Sequence, residues 1–156
     1  MDDPAVVRLR GAAEAAFGDV RYAFTLPISS SWGPRVHPTT GAVDSYHEGI
    51  DIPLPVGTPV LAVWPGEIER IDVDGEGRGE INGNAIILRC GAFRLCYLHL
   101  SAVFVKERQS VQKAQIIGHV GRTGRVTGAH LHFQVYWGER SIDPLILYPN
   151  GLFSRR

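Results

Sequence analysis

The stretch HLHFQVYW, residues 130–137, constrains the fold more strongly than any other part of the chain. Aromatic and branched residues fill it, and such a run favours a β-strand. Because the side chains of a strand alternate between its two faces, Leu131 and Phe133 are predicted to face a hydrophobic core. His130 and His132 then lie together on the other face, where both rings can reach one point. Either they form a metal or catalytic site, or a solvated sheet face carries two histidines by chance.

Short strand-like runs follow one another along the chain from residue 58, with Gly and Pro at many of the breaks. This pattern indicates an antiparallel β-sheet. Residues 25–58 contain many Pro, Gly, Ser and Thr, so we expect them to be mostly loop. The runs are TPVLAVWPGEIERIDVD, which Pro65 and Gly66 divide, the hairpin NAIILRC and FRLCYLHL, then QIIGHVG and HLHFQVYW, and the tail SIDPLILYPNGLF, which is expected to pack back on the sheet.

The first part of the chain carries a helical pattern instead. Asp3 can cap such a helix, Pro4 suits its first turn and Gly18 suits its end. A chain of 156 residues has the size of one domain. We therefore expect a mostly β fold, with an antiparallel β-sheet core and a short N-terminal helix. In this prediction, a helical segment of residues 1–24 packs on a single domain of residues 25–156.

Charge and hydropathy exclude several classes of protein. Basic and acidic residues number 16 each, so the chain has no net charge and nothing electrostatic points to a nucleic-acid partner. No run approaches the roughly 20 apolar residues of a membrane-spanning helix. The acidic start MDDP is followed by no long apolar stretch, so we expect no signal peptide in this chain. We expect a monomer.

Two cysteines, Cys90 and Cys96, match neither a zinc knuckle nor a CxxC redox motif. Both fall in the predicted hairpin, and its turn at Gly91 and Ala92 would not place them opposite one another. We therefore predict two thiols that are buried or half-buried, with no disulfide between them.

The stretch YHEGIDIPLPVGTPV places His47 and Asp51 four residues apart. It resembles the start of HExxH, the helical motif of zinc proteases, but the fourth position is an aspartate, and Gly49 and Pro53 disfavour a helix. His47 and Asp51 are better explained as metal ligands from a loop and from the strand that follows it. One carboxylate and two imidazoles form a typical catalytic zinc shell with a fourth position for water. Calcium would require more oxygen ligands.

Four segments, taken in order, resemble one known family. SSSWGPRVHPTTG, HEGIDIPLPVGTPV, CYLHLS and TGAHLHFQV are together similar to the LytM/lysostaphin-type zinc endopeptidases of bacterial cell walls. The similarity extends from about Ser30 to about Pro144, which is most of the chain. It implies a small antiparallel β-sheet crossed by a substrate groove that loops border, with residues 25–156 as one LytM-type peptidase domain.

The resemblance assigns different roles to the histidines. It implies one Zn²⁺ ion bound by His47, Asp51 and His132. His99 and His130 would then be catalytic residues that do not bind the metal. The spacing of the two histidines in HLH cannot by itself say which ring is the ligand.

The activity that the resemblance implies is zinc-dependent hydrolysis of peptide bonds in peptidoglycan by a metal-activated water. The bonds would lie in stem-peptide cross-links or in glycine-containing bridges, and the peptidoglycan peptide would be the partner. Arg35, His37 and Tyr46 are candidate substrate contacts. The protein would act on the cell wall as a secreted, periplasmic or phage-encoded lysin. The alternative is a catalytically silent zinc-binding module that binds the wall or activates another hydrolase.

Two features depart from the family pattern. Glu48 stands where the family often has a small or other residue. Its side chain either contacts the metal-binding residues from behind or is merely exposed, and we expect it to be exposed. The segment DGEGRGEING is expected to be a flexible, solvated turn that alters one border of the groove. The loops expected to border the groove are residues 27–46, 74–83, 101–113 and 121–128.

Overall fold

A computed structural model describes residues 24–25, 28–36, 40–144 and 153–154. The predicted N-terminal helix lies outside these residues, so it stays a prediction. The strands are β1 Phe24–Thr25, β2 Gly33–Val36, β3 Val43–His47, β4 Gly49–Ile52, β5 Pro59–Leu61, β6 Gly66–Asp72, β7 Asn84–Cys90, β8 Phe93–Val103, β9 Ser110–Val111, β10 Ile116–Val120, β11 Leu131–Trp137, β12 Arg140–Ile142 and β13 Phe153–Ser154, with one helical turn, α1, at Gly79–Asn82.

The main sheet is antiparallel, and β11 is the second strand from one of its ends. Strand order along it is β12, β11, β8, β7, β6 and β9. β4 pairs with the first half of β11, and β12 pairs with its second half. β10 joins the sheet beside the second half of β8 and also pairs with β5. The mostly β, antiparallel fold predicted from the sequence is confirmed.

One face of this sheet covers the hydrophobic core. The alternation predicted for β11 is confirmed, because Leu131, Phe133 and Val135 are at most 2% exposed while the residues between them are half-buried. Trp64 and Tyr97 are the bulkiest of the fully buried side chains. The Tyr97 hydroxyl accepts a hydrogen bond from the Val63 amide at 2.9 Å, which satisfies a polar group that burial would otherwise penalise.

The opposite face of the sheet carries a smaller apolar cluster beside its polar residues. Ala85, Ile87, Cys96 and Leu98 form this cluster, and Tyr136 packs against it. The face of β11 that carries the histidines is therefore partly covered by apolar side chains and is not fully exposed to solvent.

The prediction that residues 25–58 are mostly loop is confirmed only in part, because about half of the residues described there lie in strands. β2 and β3 form a hairpin in this region, and β4 adds to the main sheet. Pro, Gly and Ser in this stretch suggested turns. Among the residues that the structure describes, β2 and β3 pair only with each other and lie outside the main sheet. Proline is tolerated in such a two-stranded ribbon because the outer edge of each strand lacks a partner.

The cysteine prediction is confirmed, because Cys90 and Cys96 are buried and free. Cys90 pairs with Phe93 across the hairpin, whereas Cys96 pairs with Ile87. In the described part of the chain, no helix has the length and apolar character that crossing a bilayer requires.

Candidate metal centre

Asp51 and His132 face each other across two neighbouring strands. Asp51 of β4 is the direct register partner of His132 of β11, and directly opposed side chains in an antiparallel pair are close enough to interact. The His132 Nδ1 lies 2.9 Å from Asp51 Oδ1. The outer edge of β4 is held as well, because the Asp51 amide donates to the Ser30 carbonyl at 3.0 Å.

His47 reaches the same point from the end of β3. Only Glu48 separates β3 from β4, so the chain turns there and brings His47 beside the strand that carries Asp51. The His47 Nε2 lies 3.5 Å from Asp51 Oδ1 and 3.3 Å from His132 Nδ1. The structure thus brings together the three residues that the family resemblance names as metal ligands.

Hydrogen bonds on the outer side of each ring direct one nitrogen of His47 and one of His132 inward. The His47 Nδ1–H donates to the Ser31 carbonyl at 2.9 Å, so the Nε2 lone pair faces Asp51. The His132 Nε2–H donates to the Gln134 side-chain oxygen at 2.8 Å, so the Nδ1 lone pair faces the same carboxylate. Metal-binding histidines are held in this way by an acceptor on the second nitrogen.

The spacing of these three atoms fits a small tetrahedral cation. Four ligands at zinc distances lie about 3.4 Å from one another, and the three separations here are 2.9, 3.3 and 3.5 Å. One carboxylate and two neutral imidazoles suit zinc and related transition metals better than calcium. His47, Asp51 and His132 are thus a group that could hold a metal ion.

The electrostatics of the site keep Asp51 ionised. Burial alone would raise the pKa of Asp51, but when the neighbouring imidazoles are protonated, the hydrogen bond from His132 and the charges of His132, His47 and His130 outweigh burial and hold the pKa below its usual value. An ionised carboxylate at neutral pH is what a metal ligand has to be.

His99 reaches the site through an irregularity in β8. Tyr97 and Leu100 are both in the core although they are three residues apart, which a regular strand would not allow. The register against β7 shifts here by one residue, and His99 has a φ of 67°. The strand therefore contains a β-bulge, and the left-handed backbone at His99 turns its ring toward the histidine face. A non-glycine residue in this conformation is uncommon, and strained conformations of this kind cluster at functional sites.

The His99 ring is held in a defined orientation. Its Nδ1–H donates to the Thr123 carbonyl at 2.9 Å, which leaves the lone pair on Nε2. Burial lowers the pKa of His99 to about 4. The ring is therefore neutral at neutral pH and can accept a proton.

His130 lies between His99 and the three ligand candidates. Its Nδ1–H donates to the Gly128 carbonyl at 3.0 Å. Its Nε2 lies 3.5 Å from Asp51 Oδ1, and its ring centroid lies 5.1 Å from that of His99. In each of the four imidazoles, one nitrogen donates its N–H to a neighbouring oxygen, and the other nitrogen carries a lone pair that faces the cleft.

A cleft of about 400 Å³ opens over these side chains. Its lining consists of the carboxylate and the four imidazoles, which are Asp51, His47, His99, His130 and His132, together with Arg125, Val126 and Thr127. These three were not singled out from the sequence, although the loop 121–128 was expected to border the groove. Their residue types carry no chemical signature, and only the position of the loop could have indicated them.

The segment 74–83 holds this loop in place. The Gly124 amide donates to Asp74 Oδ1 at 3.1 Å, and the Asn84 amide donates to the Thr123 hydroxyl at 3.0 Å. The Thr123 hydroxyl in turn donates to the Leu100 carbonyl at 2.7 Å. The side chains of residues 74–78 are exposed, as expected for a solvated turn, but the segment also contains α1 and anchors the loop that orients His99.

Of the three predicted substrate contacts, Tyr46 alone has a side chain that the structure describes. Tyr46 is 68% exposed and is not among the residues that line the cleft. The backbone of Arg35 lies in β2, opposite Ser45. His37 lies outside the described residues. Their role in substrate binding stays a prediction.

Comparison with known proteins agrees with this geometry. The model of peptidase family M23 matches residues 45–144, a span that includes all five residues at the centre of the cleft.

The chain belongs to peptidase family M23.

Individual M23 relatives support the assignment. Over 109 residues the chain is 39% identical to the peptidoglycan DD-endopeptidase ShyC of Vibrio cholerae, covering 69% of this chain and 24% of the relative. The crystal structure of a zinc-containing peptidase from Vibrio cholerae superposes with a TM-score of 0.69 at 33% identity, covering 81% of this chain and 38% of that one. The catalytic domain of lysostaphin from Staphylococcus simulans gives a TM-score of 0.62 at 33% identity, covering 77% and 90%. The chain spans about a quarter of the length of the curated relatives it matches.

Proposed function

We propose that this M23 chain is a zinc-dependent endopeptidase that hydrolyses peptide bonds in bacterial peptidoglycan. One observation carries the proposal. His47 Nε2, Asp51 Oδ1 and His132 Nδ1 converge with the spacing of a tetrahedral zinc shell, and two further imidazoles open onto the same cleft.

In this proposal His47, Asp51 and His132 hold the metal. A bound zinc ion supplies Lewis acidity, which polarises a peptide carbonyl and lowers the pKa of a water molecule. The outer hydrogen bonds that the two rings donate to the Ser31 carbonyl and the Gln134 side-chain oxygen keep the inner nitrogens of His47 and His132 unprotonated. The strand pairing of Asp51 with His132 fixes the distance between two of the ligands before any metal binds.

His99 and His130 handle protons and charge in the cleft. Each is anchored through Nδ1–H to a backbone carbonyl, so its Nε2 faces the substrate position. Because burial keeps His99 neutral, its Nε2 can take a proton from the attacking water and return it to the leaving amine. His130 Nε2, once protonated, can donate to the oxyanion that develops on the scissile carbonyl. The assignment of base and oxyanion donor can also be the reverse.

The proposed substrate is a peptide of the cell wall. Relatives named as peptidoglycan DD-endopeptidases favour stem-peptide cross-links, and the likeness to lysostaphin leaves glycine-containing bridges as the second class. Arg125 lines the cleft and offers a positive charge on one border. We further propose that residues 25–156 form one peptidase domain that acts as a monomer at the wall.

The test compares metal content with cleavage. Purified wild-type protein is expected to contain about one zinc per chain and to release peptides from purified peptidoglycan, identified by mass spectrometry, until a chelator is added. His47→Ala, Asp51→Ala and His132→Ala are expected to lose the metal. His99→Ala and His130→Ala are expected to retain it and to lose at least about 100-fold in cleavage rate.

Glu67→Ala serves as the control, because Glu67 is exposed on β6, away from the cleft. Zinc binding by wild type without any peptide release would contradict the endopeptidase assignment and support the silent module instead. Full zinc occupancy and activity in His132→Ala would contradict the proposed ligand set.

A further inference from the structure

A line of hydrogen bonds leads from His132 to the surface of the protein. The His132 Nε2–H donates to the Gln134 side-chain oxygen at 2.8 Å. The Gln134 amide nitrogen donates to the Tyr136 hydroxyl. The Tyr136 hydroxyl donates to Glu48 Oε2 at 3.1 Å. Gln134, Tyr136 and Glu48 are referred to below as the support chain.

The bonds of the support chain all run in one direction. The Glu48 carboxylate can only accept, so Tyr136 must donate to it, and the hydroxyl oxygen is then free to accept from Gln134. With its nitrogen engaged, the Gln134 amide presents its oxygen to His132. Hydrogen bonds arranged head to tail in this way polarise one another. The charge on Glu48 therefore strengthens the acceptor that Gln134 offers to the imidazole.

We propose that the support chain is a positioning device that holds His132 as the Nε2–H tautomer and thereby sets the metal affinity of the site. The inference deepens the proposed function and rests on its metal site. It gives Glu48, which departs from the family pattern, a specific role at a distance from the reacting atoms.

The support chain is itself held in place at both ends. Gln134 and Tyr136 lie on the same face of β11 as His132, so strand geometry spaces the three side chains. At the far end, the Ser141 hydroxyl donates to the Glu48 carbonyl at 3.0 Å and accepts from the Trp32 indole at 2.8 Å. Tyr136 packs on the apolar cluster of the sheet, and burial and Glu48 raise the pKa of its hydroxyl to about 12. The hydroxyl therefore keeps the proton that it donates.

A purely structural role would give a different result. An exposed Tyr–Glu contact between β11 and the turn before β4 would contribute at most about 1 kcal/mol to stability. Its loss would lower the melting temperature slightly and leave zinc binding unchanged. Outer-shell partners of a ligating histidine, in contrast, typically change metal affinity by about 10–100-fold when they are removed.

The experiment measures the dissociation constant for zinc by competition with a chromophoric chelator. Gln134→Leu is expected to weaken zinc binding by about 10–100-fold. Gln134→Glu is expected to restore most of the affinity, because a carboxylate is also an acceptor for the imidazole N–H. Tyr136→Phe and Glu48→Gln are expected to weaken binding by at least about twofold, and the double variant no more than Tyr136→Phe alone, since Glu48 acts through Tyr136.

Two controls separate positioning from general stability. Tyr97→Phe removes a buried hydroxyl that accepts from the Val63 amide, so it should lower the melting temperature and leave zinc affinity unchanged. Glu67→Gln removes a charge at an exposed position of β6 and should change neither. As a second readout on the zinc-loaded protein, the His132 Nε2–H proton should be visible by NMR in wild type and should broaden in Gln134→Leu through faster exchange with water.

Three outcomes would overturn the inference. Unchanged affinity in Tyr136→Phe and Glu48→Gln does so even if Gln134→Leu fails to fold. The inference is also overturned if Glu48→Gln weakens zinc binding by the same factor in the Tyr136→Phe variant as in wild type. In both cases zinc binding by wild type leaves the proposed function standing. A wild-type protein without zinc affinity overturns the proposed function and the support chain together.

Discussion

Gly49→Ala is a severe perturbation of the candidate metal centre that replaces none of the ligand candidates. Gly49 begins β4 and pairs with Gln134 of β11. A Cβ at this position would lie 2.5 Å from the Phe133 carbonyl oxygen and 2.7 Å from His132 Nε2. Ordinary contacts between such atoms are about 3.5 Å. Strand and ring would therefore have to move apart by nearly 1 Å, and the bond between His132 and Gln134 lies in the way of the new methyl group.

Two separate effects are expected from this substitution, one on stability and one on zinc affinity. Forcing a methyl group into a packed strand pair costs about 1–3 kcal/mol of unfolding free energy, measured by urea denaturation of the metal-free protein. Displacing His132 from its outer acceptor is expected to weaken zinc binding by about 10–100-fold, measured by chelator competition.

Gly118→Ala provides a matched control for the backbone clash. A Cβ on Gly118 would lie 2.5 Å from the Ala102 carbonyl oxygen, between β10 and β8, with no ligand candidate among its nearest neighbours. It should cost a similar amount of stability and leave zinc affinity unchanged. The reasoning is refuted if Gly49→Ala binds zinc as tightly as wild type, or if Gly118→Ala weakens zinc binding equally.

Two further predictions concern groups behind the cleft. Burial raises the pKa of Cys90 and Cys96 to about 12. At pH 8 their thiolate population is therefore about a thousandfold below that of ordinary thiols of pKa 9. Iodoacetamide should alkylate them rapidly only in urea, and equally fast labelling of the native protein would contradict their burial. Thr123→Val removes the hydroxyl that donates to the Leu100 carbonyl and accepts from the Asn84 backbone amide, which should lower the free energy of unfolding by about 1–3 kcal/mol. It should also lower kcat, because the Thr123 carbonyl that accepts from His99 would shift, while zinc content stays at the wild-type level. An unchanged kcat would show that the loop does not depend on this hydroxyl.

Sequence periodicity predicted the strand β11 because burial imposes a period of two on it. Every second residue of this strand had to be apolar to fill the core, and this alternation is visible within a single segment. The same alternation placed His130 and His132 on one face. The distinct roles of the two rings came from the family resemblance, since no local pattern encodes which ring reaches a carboxylate on another strand.

Two aspects of the site were beyond local reasoning. The register that sets Asp51 opposite His132 joins strands about eighty residues apart, and its specification is distributed over the core of the whole sheet. The bulge at His99 was equally hidden, because strict alternation in β8 would place His99 on the same face as Tyr97. Nothing about a histidine in a strand-like run indicates a positive φ.

The composition of residues 25–58 misled for a physical reason. Pro and Gly interrupt long sheets, but short paired strands with one free edge tolerate them. The region therefore contains the hairpin of β2 and β3, and it delivers His47 to the cleft.

His47 and Glu48 are consecutive, yet they reach the candidate metal centre by different routes. One supplies an imidazole directly, and the other, through Tyr136 and Gln134, reaches the imidazole of His132. A protein engineer who exchanges the neighbouring hairpin to alter substrate preference has to carry this dipeptide over unchanged. A single residue inserted at this turn would displace the imidazole of His47 directly and that of His132 through Tyr136 and Gln134. We therefore expect an insertion between His47 and Glu48 to be tolerated less well than one elsewhere in the hairpin.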